Sequence, residues 1–329
     1  MSDIAVFGEI LIDFTFHGFG AAGQRLFAQN PGGAPANVAV AARRLGSRAA
    51  FLGKAGKDMH GAFLKETLDR LGVDTRGLIL DERYFTTLAF VALDERGERH
   101  FSFARKPGAD TMIESGEIDM EILLASRIFH VGSLSLTGEP GRSATLFALE
   151  KAKSAGIVVS YDPNYRASLW PDDETARRRL RALVPFADVM KISEEESALL
   201  TDEESPEAAA AALCGRGVKL AVVTLGERGA YVRTPAGGRF VAGFPSKAVD
   251  TNGAGDAFWG GFLHRLNESG RRPENVSLDE ASRFAAFANA AASICVEGHG
   301  AIPAMPGREE VLERLESNGK RSAPFCVRH

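Results

Sequence analysis

The chain has 329 residues, of which 45% are hydrophobic and 25% are charged, and its formal net charge is −4. This composition is ordinary for a globular protein, and the length suits one large α/β domain or two smaller ones. The slightly acidic balance excludes a general nucleic-acid binder and a membrane-surface binder from the leading function classes.

Short apolar runs alternate with longer amphipathic runs along most of the chain. The apolar runs predict strands at 4–12, 49–53, 126–131, 157–161, 189–192 and 220–224. The amphipathic runs predict helices at 36–45, 61–71, 142–155, 173–184, 194–200, 206–216, 257–265 and 278–294. Because alternating strands and helices build a mostly parallel sheet covered on both faces, we expect a doubly wound α/β body.

Two stretches interrupt this alternation. Residues 14–30 are rich in Gly and Phe, and residues 87–93 and 99–103 are β-runs joined by a Gly-containing loop at 94–97. We expect them to form a small β-sheet lid inserted into the body, with a poorly ordered polar tail at the end of the chain. The predicted ranges are 1–13, 34–85 and 110–318 for the body, 14–33 and 86–109 for the lid, and 319–329 for the tail.

The segment Val249–Phe258 is a glycine-rich turn between two acids, followed by an apolar helical run. Gly253, Ala254 and Gly255 let a ligand approach the backbone, and the first turn of a helix has unpaired N–H groups that attract anions. Asp256 would repel a phosphate at that position, but it suits a general base beside a phosphoryl group in transfer. The alternative is that Asp256 only caps the helix.

A second glycine-rich turn, Asn30–Ala39, also runs into a helix. Gly32 and Gly33 would expose bare backbone to a ligand, and Asn37 would add a side chain that can donate and accept; a tight turn before a capped helix is the alternative. Other phosphate-binding motifs fail. The GxGxxG at 18–23 should open a helix and be followed about 20 residues later by an acid, but Pro31 interrupts the expected helix and residues 38–45 contain no acid. No GxxxxGK[ST] occurs.

Together, the segments Gly32–Gly46 and Asp250–Leu263 resemble the two characteristic motifs of the ribokinase-like (PfkB) family of sugar kinases, and within it the bacterial fructokinases. Segments 86–91, 162–166 and 191–196 are similar to fructokinase blocks as well. The resemblance implies ATP-dependent phosphorylation of a sugar hydroxyl, with Mg²⁺ and in many relatives K⁺. It also implies the doubly wound body and a β lid, through which we expect a homodimer.

The resemblance assigns Asp256 as the catalytic base and the backbone of Gly253, Ala254 and Gly255 as an anion hole. It matches Asp13, Gly32, Gly33 and Asn37 to sugar-binding positions. It places Lys191, Ser193, Thr224, Gly226, Gly229 and Asn289 with the nucleotide, and Glu196 with hydrated magnesium. Ser193 departs from the Asn that many relatives have, which leaves the detail of that metal network open.

Arg105 and Arg166 are also expected at the substrate. For Asp13 and these two arginines, the residue types themselves give a physical reason and an alternative. Asp13 ends an apolar strand, where a carboxylate can accept hydrogen bonds from vicinal hydroxyls; a turn-forming Asp is the alternative. Arg105 and Arg166 are permanently charged donors that suit a substrate carboxylate or a phosphate. Surface ion pairs would explain these two arginines equally well.

Four functions stay open at this point. Phosphorylation of D-fructose at O6 is the leading one, and 2-keto-3-deoxygluconate kinase is the nearest rival because Arg105 and Arg166 would suit its carboxylate. Ribokinase is a weaker alternative, and a non-catalytic sugar- or nucleotide-binding regulator is a third class. The three cysteines form no CxxC pair, and neither a signal peptide nor a membrane span is apparent, so we expect a cytoplasmic protein.

Overall fold

The computed structural model describes residues 2–93 and 99–322. Its strands are β1 (Ile4–Phe7), β2 (Leu11–Phe19), β3 (Arg25–Gly32), β4 (Ala49–Gly56), β5 (Leu78–Asp81), β6 (Leu88–Leu93), β7 (Arg99–Ala104), β8 (Ile128–Val131), β9 (Val158–Tyr161), β10 (Val189–Ser193), β11 (Leu220–Thr224), β12 (Gly229–Thr234) and β13 (Gly237–Ala242). Its helices are α1 (Ala34–Arg44), α2 (Met59–Arg70), α3 (Met120–Leu124), α4 (Gly141–Ser154), α5 (Asp173–Arg181), α6 (Ser197–Thr201), α7 (Pro206–Gly215), α8 (Ala254–Glu268), α9 (Leu278–Cys295) and α10 (Arg308–Ser322).

Nine strands form one large sheet in the order β13-β12-β11-β10-β9-β8-β1-β4-β5. The strands from β11 to β5 run parallel, and β12 and β13 add an antiparallel edge. Alternate residues of β1 enter cores on opposite faces: Ile4 and Val6 pack with α1, α8 and α9, whereas Ala5 and Phe7 pack with α4 and α7. Helices therefore cover both faces, which confirms the doubly wound α/β prediction.

The single strand predicted at 4–12 is wrong, because the chain changes sheets there. Gly8 separates β1 from β2 and has φ +152°, and a Cβ at this position would lie 2.6 Å from Pro35 Cγ. Only glycine fits this backbone and this close approach without displacement. The chain therefore leaves the large sheet at Gly8 and enters the small sheet at Leu11.

The small sheet has the strand order β3-β2-β6-β7. The pairs β2–β3 and β6–β7 are antiparallel hairpins, and β2 pairs with β6 in parallel. The predicted β-rich unit is thus present, although the predicted lid boundary after Asp13 falls inside β2. The predicted loop at 94–97 lies outside the described residues, as does the tail beyond Ser322, whereas 319–322 belong to α10.

Alternation along β2 gives the small sheet two different faces. Phe14 and Phe16 share one face, where their rings contact those of Phe90 and Phe27 on the neighbouring strands. Asp13 points to the other face, toward the body. No helix among residues 2–93 and 99–322 combines the length and apolar character that crossing a membrane requires.

Candidate active site

The first turn of α8 is built to receive an anion. Gly253 precedes the helix with φ +76°, and a Cβ there would lie 2.6 Å from Ala301 Cβ. Ala254, Gly255 and Asp256 then form the first turn, and no side chain caps it. The alternative that Asp256 caps the helix is therefore wrong, because the capping position belongs to Gly253 and the carboxylate points elsewhere.

Three adjoining clefts meet at this turn, and we call them the inner, middle and outer clefts. The inner cleft has a cavity volume of about 80 Å³ and is lined by Glu9, Leu11, Asp13, Gly33, Ala34, Asn37, Phe103, Leu134, Asn164, Arg166, Asn252, Gly253, Asp256 and Ala301. The middle cleft shares with it Asn164, Arg166, Asn252, Gly253 and Asp256. The outer cleft shares with the middle cleft Thr224, Thr251 and Gly255. Residues 253–256 thus stand where the clefts join.

Asp256 is buried in the inner cleft and is held by Asn37, whose Nδ2 donates to Asp256 Oδ2 over 2.8 Å. Burial raises the pKa of Asp256 to about 6, and the nearby Asp162 carboxylate adds to the rise. Lys191 and the Asn37 hydrogen bond act in the opposite direction. Near neutral pH the group is therefore mostly ionised, so it can accept a proton.

Asp13 lines the same cleft from the small sheet. Burial raises its pKa to about 7, while Arg166 lowers the pKa of the same group. A Cβ on Gly32 would lie 2.2 Å from Asp13 Oδ2, so the glycine at this position leaves room for the carboxylate. The structure thus brings Asp13, Asn37, Arg166 and Asp256 to one cleft, with Gly32 supporting them.

The structure does not bring Arg105 to this cleft. Its guanidinium is buried and forms an ion pair with Asp110, with Nη2 2.6 Å from Asp110 Oδ2. It also donates to Thr137 Oγ1 over 2.8 Å and to the Leu134 carbonyl over 2.9 Å. Arg105 therefore clamps the end of β7 onto the body, and the predicted contact with substrate would require this ion pair to break.

Charged side chains of β10 and of the segments that follow β9 and β10 line or border the middle cleft. Lys191 forms a buried ion pair with Asp162. Glu196 Oε1 accepts from the Tyr165 N–H over 2.6 Å, and Oε2 accepts from the Ser193 N–H over 2.8 Å. Burial raises the pKa of Glu196. Lys191, Ser193 and Glu196 thus line one cleft, and two backbone donors fix the Glu196 carboxyl group.

The donor set decides how a metal could bind. Within 2–93 and 99–322, no group of three or more His, Cys, Asp and Glu side chains could hold a metal ion. Mg²⁺ usually keeps several waters and is bound through one or two carboxylates together with substrate phosphates. Glu196 fits that arrangement, because a carboxylate oxygen that accepts one hydrogen bond keeps capacity for a water ligand.

The outer cleft has a cavity volume of about 330 Å³ and contains the predicted nucleotide residues Thr224, Gly226, Gly229 and Asn289. Gly229 has φ +111°, and a Cβ there would lie 2.2 Å from the Val241 carbonyl oxygen. Asn289 Nδ2 donates to the same carbonyl over 3.0 Å. These contacts hold β13 against α9 and shape one side of the cleft.

Asn164 and Glu9 are among the cleft residues that the sequence-based assignment did not include. Asn164 lines both the inner and the middle clefts and has φ +45°, while its N–H donates to Asp162 Oδ1 over 3.2 Å. Glu9 lines the inner cleft and is 2% exposed. An acid inside the apolar run 4–12 was the available sign for Glu9, and an Asn directly after Pro163 was the sign for Asn164.

Comparison with known proteins identifies relatives over nearly the whole chain. The family model described as pfkB family carbohydrate kinase matches residues 1–308. The chain is 43% identical over 323 residues to probable fructokinase-3 of Arabidopsis thaliana, covering 97% of this chain and 92% of that protein. It is similar to the crystal structure of fructokinase with bound ATP from Xylella fastidiosa, at a TM-score of 0.88 and 34% identity, covering 97% of this chain and all of that one. Fructokinase from Vibrio cholerae O395, in its fructose, ADP and calcium ion bound form, matches at a TM-score of 0.87 and 36% identity, with 96% and 99% covered.

Proposed function

Because the chain belongs to the PfkB family of carbohydrate kinases, we propose that it transfers the γ-phosphoryl group of ATP to the 6-hydroxyl of D-fructose. One observation carries the proposal: Asp256 stands where the inner cleft meets the middle cleft, and Gly255 beside it lines the outer cleft. A sugar in the inner cleft and a nucleotide in the outer cleft would meet at the head of α8. Phosphoryl transfer requires that in-line arrangement.

The residues supply the chemistry of this transfer. Asp256 takes the proton of the attacking hydroxyl, and general-base catalysis of this kind contributes roughly 10²–10⁴-fold in rate. The N–H groups of Gly253, Ala254 and Gly255 stabilise negative charge on the transferring group. Magnesium held near Glu196 through water would neutralise phosphate charge. Asn37 keeps the Asp256 carboxylate aimed at the inner cleft.

The charge of the inner cleft favours a neutral sugar. Of its three carboxyl groups, Asp256 is mostly ionised near neutral pH, Asp13 is partly ionised and Glu9 is mostly uncharged, and Arg166 is the cationic side chain among the lining residues. A substrate carboxylate would meet this acidic group, and Arg105 is already paired with Asp110. Fructose is therefore favoured over 2-keto-3-deoxygluconate. Two structural neighbours support the same choice: a fructokinase with bound ATP and a fructokinase in its fructose, ADP and calcium ion bound form.

A substrate panel tests the proposal. ADP release is measured with ATP and Mg²⁺ for fructose, 2-keto-3-deoxygluconate, ribose and adenosine, and an enzyme specific for fructose 6-phosphate detects the product. We expect fructose to give the highest kcat/KM and the 6-phosphate as product. A preference for the keto acid would transfer the proposal to that substrate, and tight binding of fructose and ATP without ADP formation would favour a regulator. Repeating the assay with Mn²⁺, Ca²⁺, K⁺ or Na⁺ identifies the metal and tests K⁺ activation.

We also propose that the protein forms a homodimer through the small sheet. Phe16, Phe19 and Phe27 are 39%, 66% and 38% exposed, and the first two rings are in contact. Exposed aromatic clusters of this kind mark interaction surfaces. Sedimentation velocity should show a dimer that Phe19→Glu dissociates. Phe240→Glu, at an exposed phenylalanine of β13 in the large sheet, is the control that should remain a dimer. The cytoplasmic location stays a prediction.

A further inference from the structure

Glu9 lines the inner cleft but has no role in the chemistry proposed above. It lies between β1 and β2, and its side chain is almost completely buried. Oε1 accepts a hydrogen bond from the N–H of Ala34, the first residue of α1, over 3.1 Å. Among the protein groups of the described residues, Oε2 has no hydrogen-bond partner.

The unpartnered atom has a counterpart in the same cleft. Across the described part of the chain, the buried side-chain polar atoms without a partner are Glu9 Oε2, Asn37 Oδ1, Ser133 Oγ, Trp170 Nε1 and Arg233 Nε. The first two belong to residues that line the inner cleft. Buried polar atoms are nearly always paired, so two exceptions in one cleft indicate partners supplied by a ligand. A polyol offers hydroxyls that both donate and accept.

The protonation of Glu9 determines which partner it needs. Burial raises its pKa to about 8 and the nearby Asp110 carboxylate adds to the rise, whereas hydrogen bonds from the backbone N–H groups of Glu9 and Ala34 and the charge of Arg105 act in the opposite direction. Asp13, Asp256 and Arg166 are the other charged groups lining the cleft. At neutral pH the carboxyl group is therefore mostly uncharged. Because Oε1 already accepts from Ala34, the proton belongs on Oε2, which makes Oε2 a donor that faces no acceptor.

We propose that Glu9 binds the sugar, donating a hydrogen bond from Oε2 to a substrate hydroxyl other than the one that is phosphorylated. This inference rests on the proposed function, because it assumes a polyol in the inner cleft. Asn37 Oδ1 would accept from another hydroxyl of the same molecule. Glu9 is thus a specificity-determining residue that recognises the sugar with an uncharged acid, whereas Asp256 acts as an ionised one.

Three variants test the assignment through the KM for fructose, the KM for ATP and kcat between pH 6.5 and 9.5. Glu9→Gln keeps the acceptor for Ala34 and replaces the acid O–H with a permanent N–H donor. Glu9→Met keeps the approximate volume but removes both functions. Ser133→Ala is the matched control, since it removes another buried unpartnered oxygen from a residue that does not line the cleft.

In the wild type, the KM for fructose should rise above pH 8 as Glu9 loses its proton, by up to about tenfold per pH unit if the ionised form does not bind fructose. Glu9→Gln should keep the wild-type KM at pH 7 within about threefold and remove that rise, because an amide does not titrate. Glu9→Met should raise the KM for fructose at least about tenfold and leave the KM for ATP unchanged. Ser133→Ala should leave both KM values unchanged. Direct calorimetric titration with fructose should follow the same order.

Either of two results would overturn the inference. One is a KM for fructose that rises with pH in Glu9→Gln as it does in the wild type, because the rise would then come from the titration of another group. The other is a folded Glu9→Met enzyme with an unchanged KM for fructose, which leaves Glu9 a purely structural anchor of α1. If Glu9→Met does not fold, the comparison of Glu9→Gln with the wild type still decides. Failure of the proposed function looks different, because the wild type would then not phosphorylate fructose at any pH.

Discussion

Replacing Asp256 with asparagine should abolish most of the activity and at the same time stabilise the fold. Asparagine has nearly the same shape, and its amide oxygen can still accept the hydrogen bond from Asn37 Nδ2. It cannot accept the proton of the sugar hydroxyl, so kcat should fall by at least about 10²-fold. The KM for ATP should stay unchanged, because the backbone of Gly253, Ala254 and Gly255 is preserved.

The stability change follows from the pKa of Asp256. Folding raises this pKa from 3.8 to about 6. At 1.36 kcal/mol per pH unit, keeping the group ionised in the fold costs about 3 kcal/mol above pH 6. The favourable position of an acid in the first turn of α8 offsets up to about 1 kcal/mol in the comparison with asparagine. Asp256→Asn should therefore raise the free energy of unfolding by about 2 kcal/mol at pH 7.5.

The sign of the pH dependence gives an internal check. The folded state holds the Asp256 proton more tightly than the unfolded state, so the wild type is free of this cost below pH 3.8 and acquires it as pH rises toward 6. Urea unfolding at pH 5 and pH 7.5 should show roughly half of the stability gain at the lower pH. Loss of stability in Asp256→Asn at pH 7.5, or turnover close to the wild type, would refute the assignment of a buried catalytic base.

Three further predictions concern the neighbours of this group. Asn37→Ala removes a hydrogen bond that lowers the pKa of Asp256, so the acid limb of the kcat profile should move above pH 6; a limb at the wild-type position would contradict this. Gly32→Ala places a Cβ 2.2 Å from Asp13 Oδ2, so we expect at least about a tenfold rise in the KM for fructose with an unchanged KM for ATP, and equal effects on both would argue against a sugar site at Asp13. Glu196→Gln should raise the KM for Mg-ATP by about tenfold and leave the KM for fructose unchanged, as measured at several Mg²⁺ concentrations; insensitivity to Mg²⁺ would exclude Glu196 from the metal network.

The elements with strong periodicity could be predicted from the sequence, and their bounds agree with the structure within about three residues. The hairpin of β12 and β13 could not, because it lies at the sheet edge, where glycines and arginines between the apolar residues hide the alternation. The break between β1 and β2 was missed for a different reason. Apolar residues continue on both sides of Gly8, so nothing in the pattern shows that they belong to two cores.

The candidate site divides in the same way. Asp256 and the turn before it could be found, because residue type and spacing together indicate phosphate chemistry. Arg105 was expected at the substrate because its charge suits an anion, but its partner Asp110 is visible only once the chain is folded. Glu9 stands out in the sequence only as an acid within the apolar run 4–12, and its unpaired oxygen becomes visible only once Ala34 and the cleft walls are in place.

Asp13 and Asp256 are mounted on different scaffolds, since Asp13 belongs to β2 of the small sheet and Asp256 to α8 of the body. Asp13, which would bind the sugar, and Asp256, which would deprotonate it, are correctly positioned only when the small sheet packs against the body. A displacement of the small sheet relative to the body would therefore lower activity even though both carboxylates are intact. Substitutions at the exposed aromatic residues Phe16, Phe19 and Phe27 of the small sheet should therefore be able to slow the reaction. A dimer that holds this sheet in place would in the same way control the turnover rate.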